Sequence, residues 1–99
     1  MTRSDFIKSI TDVELTNLMM SYFSQTMALY NLIGENNFNI SVKGDKDKED
    51  ISFLVIFENK NNMNEILSSI NGSKFTLHDN NFTVDAELYK DNIISIRLL

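Results

Sequence analysis

The chain has no cysteine, no proline and no tryptophan, and only one histidine and three glycines among its 99 residues. The lack of cysteine removes disulfides, thiolate chemistry and cysteine-based zinc sites, a usage that agrees with a reducing compartment. All three glycines have structural posts. Gly34 and Gly72 follow predicted helices and Gly44 bends a charged loop, so none is left for a G-x-x-x-x-G-K phosphate loop or a dinucleotide fingerprint. No apolar run approaches the roughly 18 residues of a membrane helix. The opening Met1-Thr2-Arg3-Ser4-Asp5 also lacks the apolar stretch and small-residue site of a secretory signal. The expectation is a cytoplasmic protein that does not engage a membrane.

Positive charge is scarce as well. Nine Lys and Arg against fourteen Asp and Glu give a net charge of −5, with a pI near 4.6. The basic residues are scattered, which argues against direct nucleic-acid binding through clustered phosphate contacts. Alanine is confined to Ala28 and Ala86 while Asn, Ile and Lys abound, the amino-acid shadow of an A+T-rich genome such as that of a low-G+C bacterium or its phage.

What remains is an ordinary globular composition, 42% hydrophobic and 23% charged. A chain of this length buries about 60 to 65% of its unfolded surface, enough for one core, so residues 1–99 are read as a single domain.

Thr11-Asp12-Val13-Glu14 reads as a capping box, with the Thr11 hydroxyl taking the Glu14 N–H and the Glu14 side chain returning to Thr11. A long helix is predicted from Asp12 to Ile33, closed by Gly34, about 22 residues or roughly 33 Å. Ahead of it, Ser4 is placed to cap a short turn that presents Phe6, Ile7 and Ile10 together. Phe38, Ile40 and Val42 alternate with polar residues, and Ile51 to Phe57 forms a second strand. Pairing Val42 with Ile51, Ile40 with Phe53 and Phe38 with Val55 keeps all six side chains on one face. A second helix follows, with Asn62 and Glu65 as its capping pair, Met63, Ile66, Leu67 and Ile70 as one stripe, and Asn71-Gly72 as its stop.

The remaining residues suggest a meander. A turn at Asp79-Asn80 pairs Leu77 with Phe82 and Phe75 with Val84. A loop at Lys90-Asp91-Asn92 pairs Leu88 with Ile94, Ala86 with Ile96 and Val84 with Leu98, and sets Asp85 between Lys74 and Arg97. The apolar segment Ile93 to Leu99 must be paired inside the sheet or stand as a hazardous edge. Because a helix joins the second and third strands, a parallel crossover is expected if they are neighbours. The fold class is therefore α+β: a two-layer α/β sandwich in the order α-β-β-α-β-β-β, the short N-terminal turn first. Its sheet is expected to be five-stranded, mixed and mostly antiparallel, with helices on one face.

On the long helix, Leu15, Leu18, Met19, Tyr22, Leu29 and Ile33 share one arc. Met20, Phe23, Met27 and Tyr30 widen it to about 200°, against roughly 100° for an ordinary surface helix. The N-terminal turn can cover that excess. The sharper alternative is a seam at Thr16, Met20, Phe23, Met27 and Tyr30 for a second copy or a partner. Leu54 and Ile56 face away from the core opposite Asn39 and Asn37, a second candidate contact patch.

Other constellations read as structural. The loop Lys43 to Asp50 resembles a calcium loop but has Asp50 where glycine and Ile56 where glutamate are needed, so a solvated hairpin tip is expected. His78-Asp79 reads as a turn, and Asp85 with Glu87 as part of a surface charge ladder rather than a glycosidase pair. No catalytic residue, metal site or cofactor is predicted.

The sequence thus points to a small acidic, non-catalytic protein-binding module of the inhibitor, immunity, phage anti-defence or chaperone type. Self-association through the long helix is expected, and its acidity would steer it towards a basic nucleic-acid-binding protein. A structural subunit of a larger assembly and a small-molecule sensor are the alternatives.

Overall fold

The computed structural model describes residues 2–29 and 37–99, apart from the side chains of Met27, Leu29 and Phe75. Three helices, α1 (Arg3–Ser9), α2 (Asp12–Leu29) and α3 (Met63–Ile70), accompany five strands. The strands are β1 (Phe38–Val42), β2 (Ile51–Phe57), β3 (Lys74–Leu77), β4 (Asn80–Lys90) and β5 (Ile93–Leu98). The α+β class and the element order are those expected.

Local chemistry sets the helix starts. The Thr11 hydroxyl accepts the Glu14 N–H at 3.1 Å, the first half of the expected capping box. Thr2, rather than Ser4, caps α1 by accepting the Asp5 N–H. At α3 the expected side-chain cap is replaced. Asn62 sits in the left-handed region with φ 61°, and its side chain makes no capping bond. Its carbonyl accepts the Ile66 N–H instead. The predicted stop of the long helix at Gly34 lies outside the described residues.

The strand order is β1-β2-β5-β4-β3, and every pairing is antiparallel. The expected parallel pairing of β2 with β3 does not form. β5 enters between β2 and β4, burying Ile94, Ile96 and Leu98 in the middle of the sheet. α3 then carries the chain from β2 to the opposite edge. This also decides the place of Ile93 to Leu99, which is an interior strand rather than an edge.

From Val84 opposite Leu98 to Leu88 opposite Ile94 the β4–β5 register is the predicted one, but the expected loop at Lys90-Asp91-Asn92 is not: Lys90 belongs to β4 and pairs with Ile93 after a register shift at Tyr89, which leaves a shorter turn. Two other hairpins slip by two residues and so keep their faces. Val42 pairs with Phe53 rather than Ile51. The N–H groups of Lys43 and Gly44 both reach the Ser52 carbonyl, the hydrogen-bond pattern of a β-bulge that takes up the extra residues. Phe75 pairs with Phe82 rather than Val84, because the turn falls at His78-Asp79, both with positive φ.

One face of the sheet holds the core. Phe53, Val55 and Phe57 of β2, Ile94 and Ile96 of β5, and Phe82, Val84 and Ala86 of β4 are buried. Above them lie Phe6 and Ile7 of α1, Leu15, Met19 and Phe23 of α2, and Met63, Ile66 and Ile70 of α3. The Lys43 to Asp50 loop is not a free tip. Asp45 caps a 3-10 turn at Lys46–Lys48, the Ser4 hydroxyl meets the Glu49 carboxylate, and Lys46 donates to the Ile10 carbonyl and to Asp12. The loop thereby clasps α1 and the start of α2. No described helix is long and apolar enough to cross a membrane.

Candidate functional site

No described helix lies over the second face of the sheet. Across its middle, register aligns Ser41 with Leu54 and Leu54 with Ser95, and Ser95 with Glu87. The row on one side runs Asn39, Ile56, Ile93; the row on the other sets Ser52 beside Arg97 and Arg97 beside Asp85. The face is therefore apolar towards Ile56 and Ile93 and ionic towards Arg97 and Asp85.

The ionic part is a shallow groove of about 400 Å³ lined by Lys43, Asp50, Asp85, Glu87, Ser95 and Arg97, among others. Its groups largely satisfy one another. Lys43 Nζ donates to Ser95 Oγ at 2.9 Å, Ser52 Oγ donates to Asp50 Oδ1 at 2.5 Å, and Arg97 Nε reaches the same carboxylate at 3.5 Å. Asp85 stands opposite Arg97 as expected. Lys74 does not flank it, because the slipped β3 register puts Lys74 opposite Thr83. Charges of both signs on this open face, with Arg97 and Asp50 ion-paired, suit contact with complementary polar groups. Among the described residues, no group of three or more His, Asp or Glu is placed to hold a metal ion.

At the apolar part, Ile56 is 36% exposed and Leu54 and Ile93 are half-buried. Tyr89 is exposed at the adjoining end of β4, with Lys90 Nζ 5.5 Å from its ring centre, while Leu88, also exposed, lies opposite Ile94 on the helix-covered face. Ile93 was not singled out by sequence reasoning. Its membership depends on β5 lying beside β2, which hydrophobic alternation does not reveal; the expected hairpin register sets it opposite Tyr89, whereas the structure sets it opposite Lys90.

The helix seam is altered by the structure. Phe23 is 1% exposed and stacks edge-on against Phe53 and Tyr22, so it belongs to the core and not to an outer surface. Thr16 and Met20 are half-buried on the outer flank of α2. Tyr30 and the side chain of Met27 lie outside the described residues. What the flank does carry is Val13, 70% exposed. With Thr16, Asn17 and Val42 it lines a groove of about 290 Å³ between α2 and the outer edge of β1.

His78 and Asp79 form the β3–β4 turn, the His78 ring lying 5.4 Å from that of Phe6. Comparison with protein families, with curated proteins and with solved structures finds no match to this chain.

Proposed function

We propose that this protein is a small acidic binding module, non-catalytic, that docks the uncovered face of its sheet on a macromolecular partner. The observation that supports this reading is the cluster Leu54, Ile56 and Ile93 on a largely polar face over which no described helix lies. An apolar centre beside hydrogen-bonding and charged groups is the anatomy of a contact surface. The carboxylates of Asp50, Asp85 and Glu87 border it, and the net charge of −5 favours encounter with a basic surface such as that of a nucleic-acid-binding protein. Inhibition, immunity, anti-defence or chaperoning by occupancy would all use such a face. The alternative, a subunit of a larger assembly, is favoured by the outer side of β1, which no described strand pairs.

The test is photo-crosslinking in the native host from a reactive residue placed at Ile56, with Glu65 on α3 as the control position. One discrete protein adduct is expected from position 56, lost on adding Leu54→Asp. Adducts from position 65 with none from 56 would overturn the reading.

A further inference from the structure

We propose that two copies of this chain join through the outer edge of β1, antiparallel about Ile40, to form one continuous sheet of twice five strands. The proposal rests on the contact reading above and names a second copy as one partner.

β1 is terminal in the sheet, and among the described residues only β2 pairs with it. Edge strands of soluble proteins are usually blunted by lysine, proline, a bulge or brevity. The opposite edge, β3, follows that rule, with four residues beginning at Lys74. The five residues of β1, Phe38-Asn39-Ile40-Ser41-Val42, carry no charge and pair with β2 without a register shift, and Lys43 with its bulge lies just beyond them.

The hydrogen-bond phase is readable from its two ends. The Asn37 carbonyl accepts the Glu58 N–H, and the Lys43 N–H donates to the Ser52 carbonyl, so the odd-numbered residues face β2. By alternation, the N–H and C=O groups of Phe38, Ile40 and Val42 point outward. The same three residues carry the half-buried apolar side chains of the helix-covered face.

Two-fold pairing about Ile40 therefore matches outward main-chain groups and side-chain faces in one register with full overlap. Ile40 meets its copy and Phe38 meets Val42 of the copy, making about six main-chain hydrogen bonds. On the helix side apolar meets apolar; on the open side Asn39 meets Ser41. A slip by one residue would oppose outward groups to inward ones and break both matches together. A slip by two would leave part of the strand unpaired.

Helix spacing fits as well. α2 lines a groove with Val42 of β1 and also reaches Phe53 of β2, so it stands over both strands. Helices placed over that midline in the two copies would lie about two strand spacings apart, roughly 9–10 Å. That is the distance at which helices pack, about 8–10 Å. Val13, Thr16 and Met20 on the outer flank of α2 would then face the copy. The exposed Val13 would gain cover, and of the expected seam Thr16 and Met20 would lie at the contact.

Asn39 and Ser41 are exposed, so they can be changed without entering the core. Sedimentation equilibrium on the full chain should show a dimer at tens of micromolar. Asn39→Lys with Ser41→Lys brings four ammonium groups together across the axis and should raise the dimer dissociation constant at least about tenfold. Asn39→Lys with Ser41→Glu sets unlike charges opposite each other and should retain the dimer. Amide exchange gives a second readout: Phe38, Ile40 and Val42 should be protected only in the dimer, Asn39 and Ser41 in dimer and monomer alike. A monomeric parent chain, or a double-lysine variant that stays dimeric, would overturn the proposal. Loss of the Ile56 crosslink from a parent chain that still dimerises would instead remove the docking reading and leave the edge pairing intact.

Discussion

Phe23 of α2 stands edge-on to Phe53 of β2, with ring centroids 6.0 Å apart and both side chains buried. At 100° per residue Phe23 lies about 40° further round the helix than Met19, at the margin of the sheet-facing arc. Its ring is long enough to turn inward over β2, and this draws the boundary between core and flank through Thr16 and Met20.

The first prediction follows from that contact. Phe23→Ala should cost about 3–5 kcal/mol, since it removes a buried ring from a close-packed site. Phe23→Glu should leave the chain unfolded rather than folded and monomeric. Met20→Glu, on the half-buried flank, should cost the fold of a single copy no more than about 1 kcal/mol when measured at concentrations too low for the dimer proposed above. Urea denaturation followed by circular dichroism measures all three. A folded, stable Phe23→Glu variant would place the ring outside the core.

The second concerns Lys46, whose ammonium lies 2.8 Å from the Ile10 carbonyl and 2.6 Å from Asp12 Oδ1. The lysine head is only 22% exposed but its carboxylate partner is 67% exposed. The hydrogen bond to the carbonyl should therefore outweigh the ion pair. Lys46→Met is expected to cost about 1–2 kcal/mol, and Asp12→Asn less than about 1 kcal/mol. The second loss should fade in high salt, and the first should shrink only by the ion pair's share. Denaturation of both single variants and the double variant, at low and high salt, would separate the terms.

The third is Gly44→Ala. A methyl group there would meet the Asp50 carbonyl oxygen at 2.2 Å and the Ser52 nitrogen at 2.5 Å, both backbone atoms. Neither can swing aside as a side-chain terminus would. The loop must shift, and a loss of about 1–3 kcal/mol is expected. Amide exchange should quicken at Asp50, whose N–H is held by the Asp45 carbonyl.

These residues also mark what was legible in the sequence. The alternation of Phe38, Ile40 and Val42 gave the buried face of β1, and the spacing of Met63, Ile66 and Ile70 gave that of α3. Period-two alternation is blind to a slide of two residues, so the β1–β2 and β3–β4 registers depended on turn geometry at Gly44 and at His78-Asp79. In the β4–β5 hairpin the apolar row Leu88, Ala86, Val84 matched Ile94, Ile96, Leu98 in only one way over a long overlap, and that register was readable. The neighbourhood of β5 and β2 left no local trace, because strand order is decided by the burial of whole strands. For that reason Leu54 and Ile56 were visible as a patch while Ile93 beside them was not.

The last prediction returns to the β3–β4 turn. His78 and Asp79 have φ of 48° and 66°, and with Leu77 opposite Asn80 they form the two-residue left-handed turn that favours glycine at its second position. A side chain held in that region costs about 1–2 kcal/mol, whereas the extra freedom glycine gives the unfolded chain costs about 0.5–1 kcal/mol. Asp79→Gly should therefore stabilise the protein by a few tenths to about 1 kcal/mol. His78→Gly relieves similar strain but removes a ring lying 5.4 Å from that of Phe6, a contact worth about 0.5–1.5 kcal/mol, so its net effect should be near zero or unfavourable. Urea midpoints at unchanged slope should rank Asp79→Gly above the parent chain and His78→Gly at or below it. A midpoint lowered by Asp79→Gly would show that the Asp79 side chain holds the turn more strongly than its backbone strain opposes it.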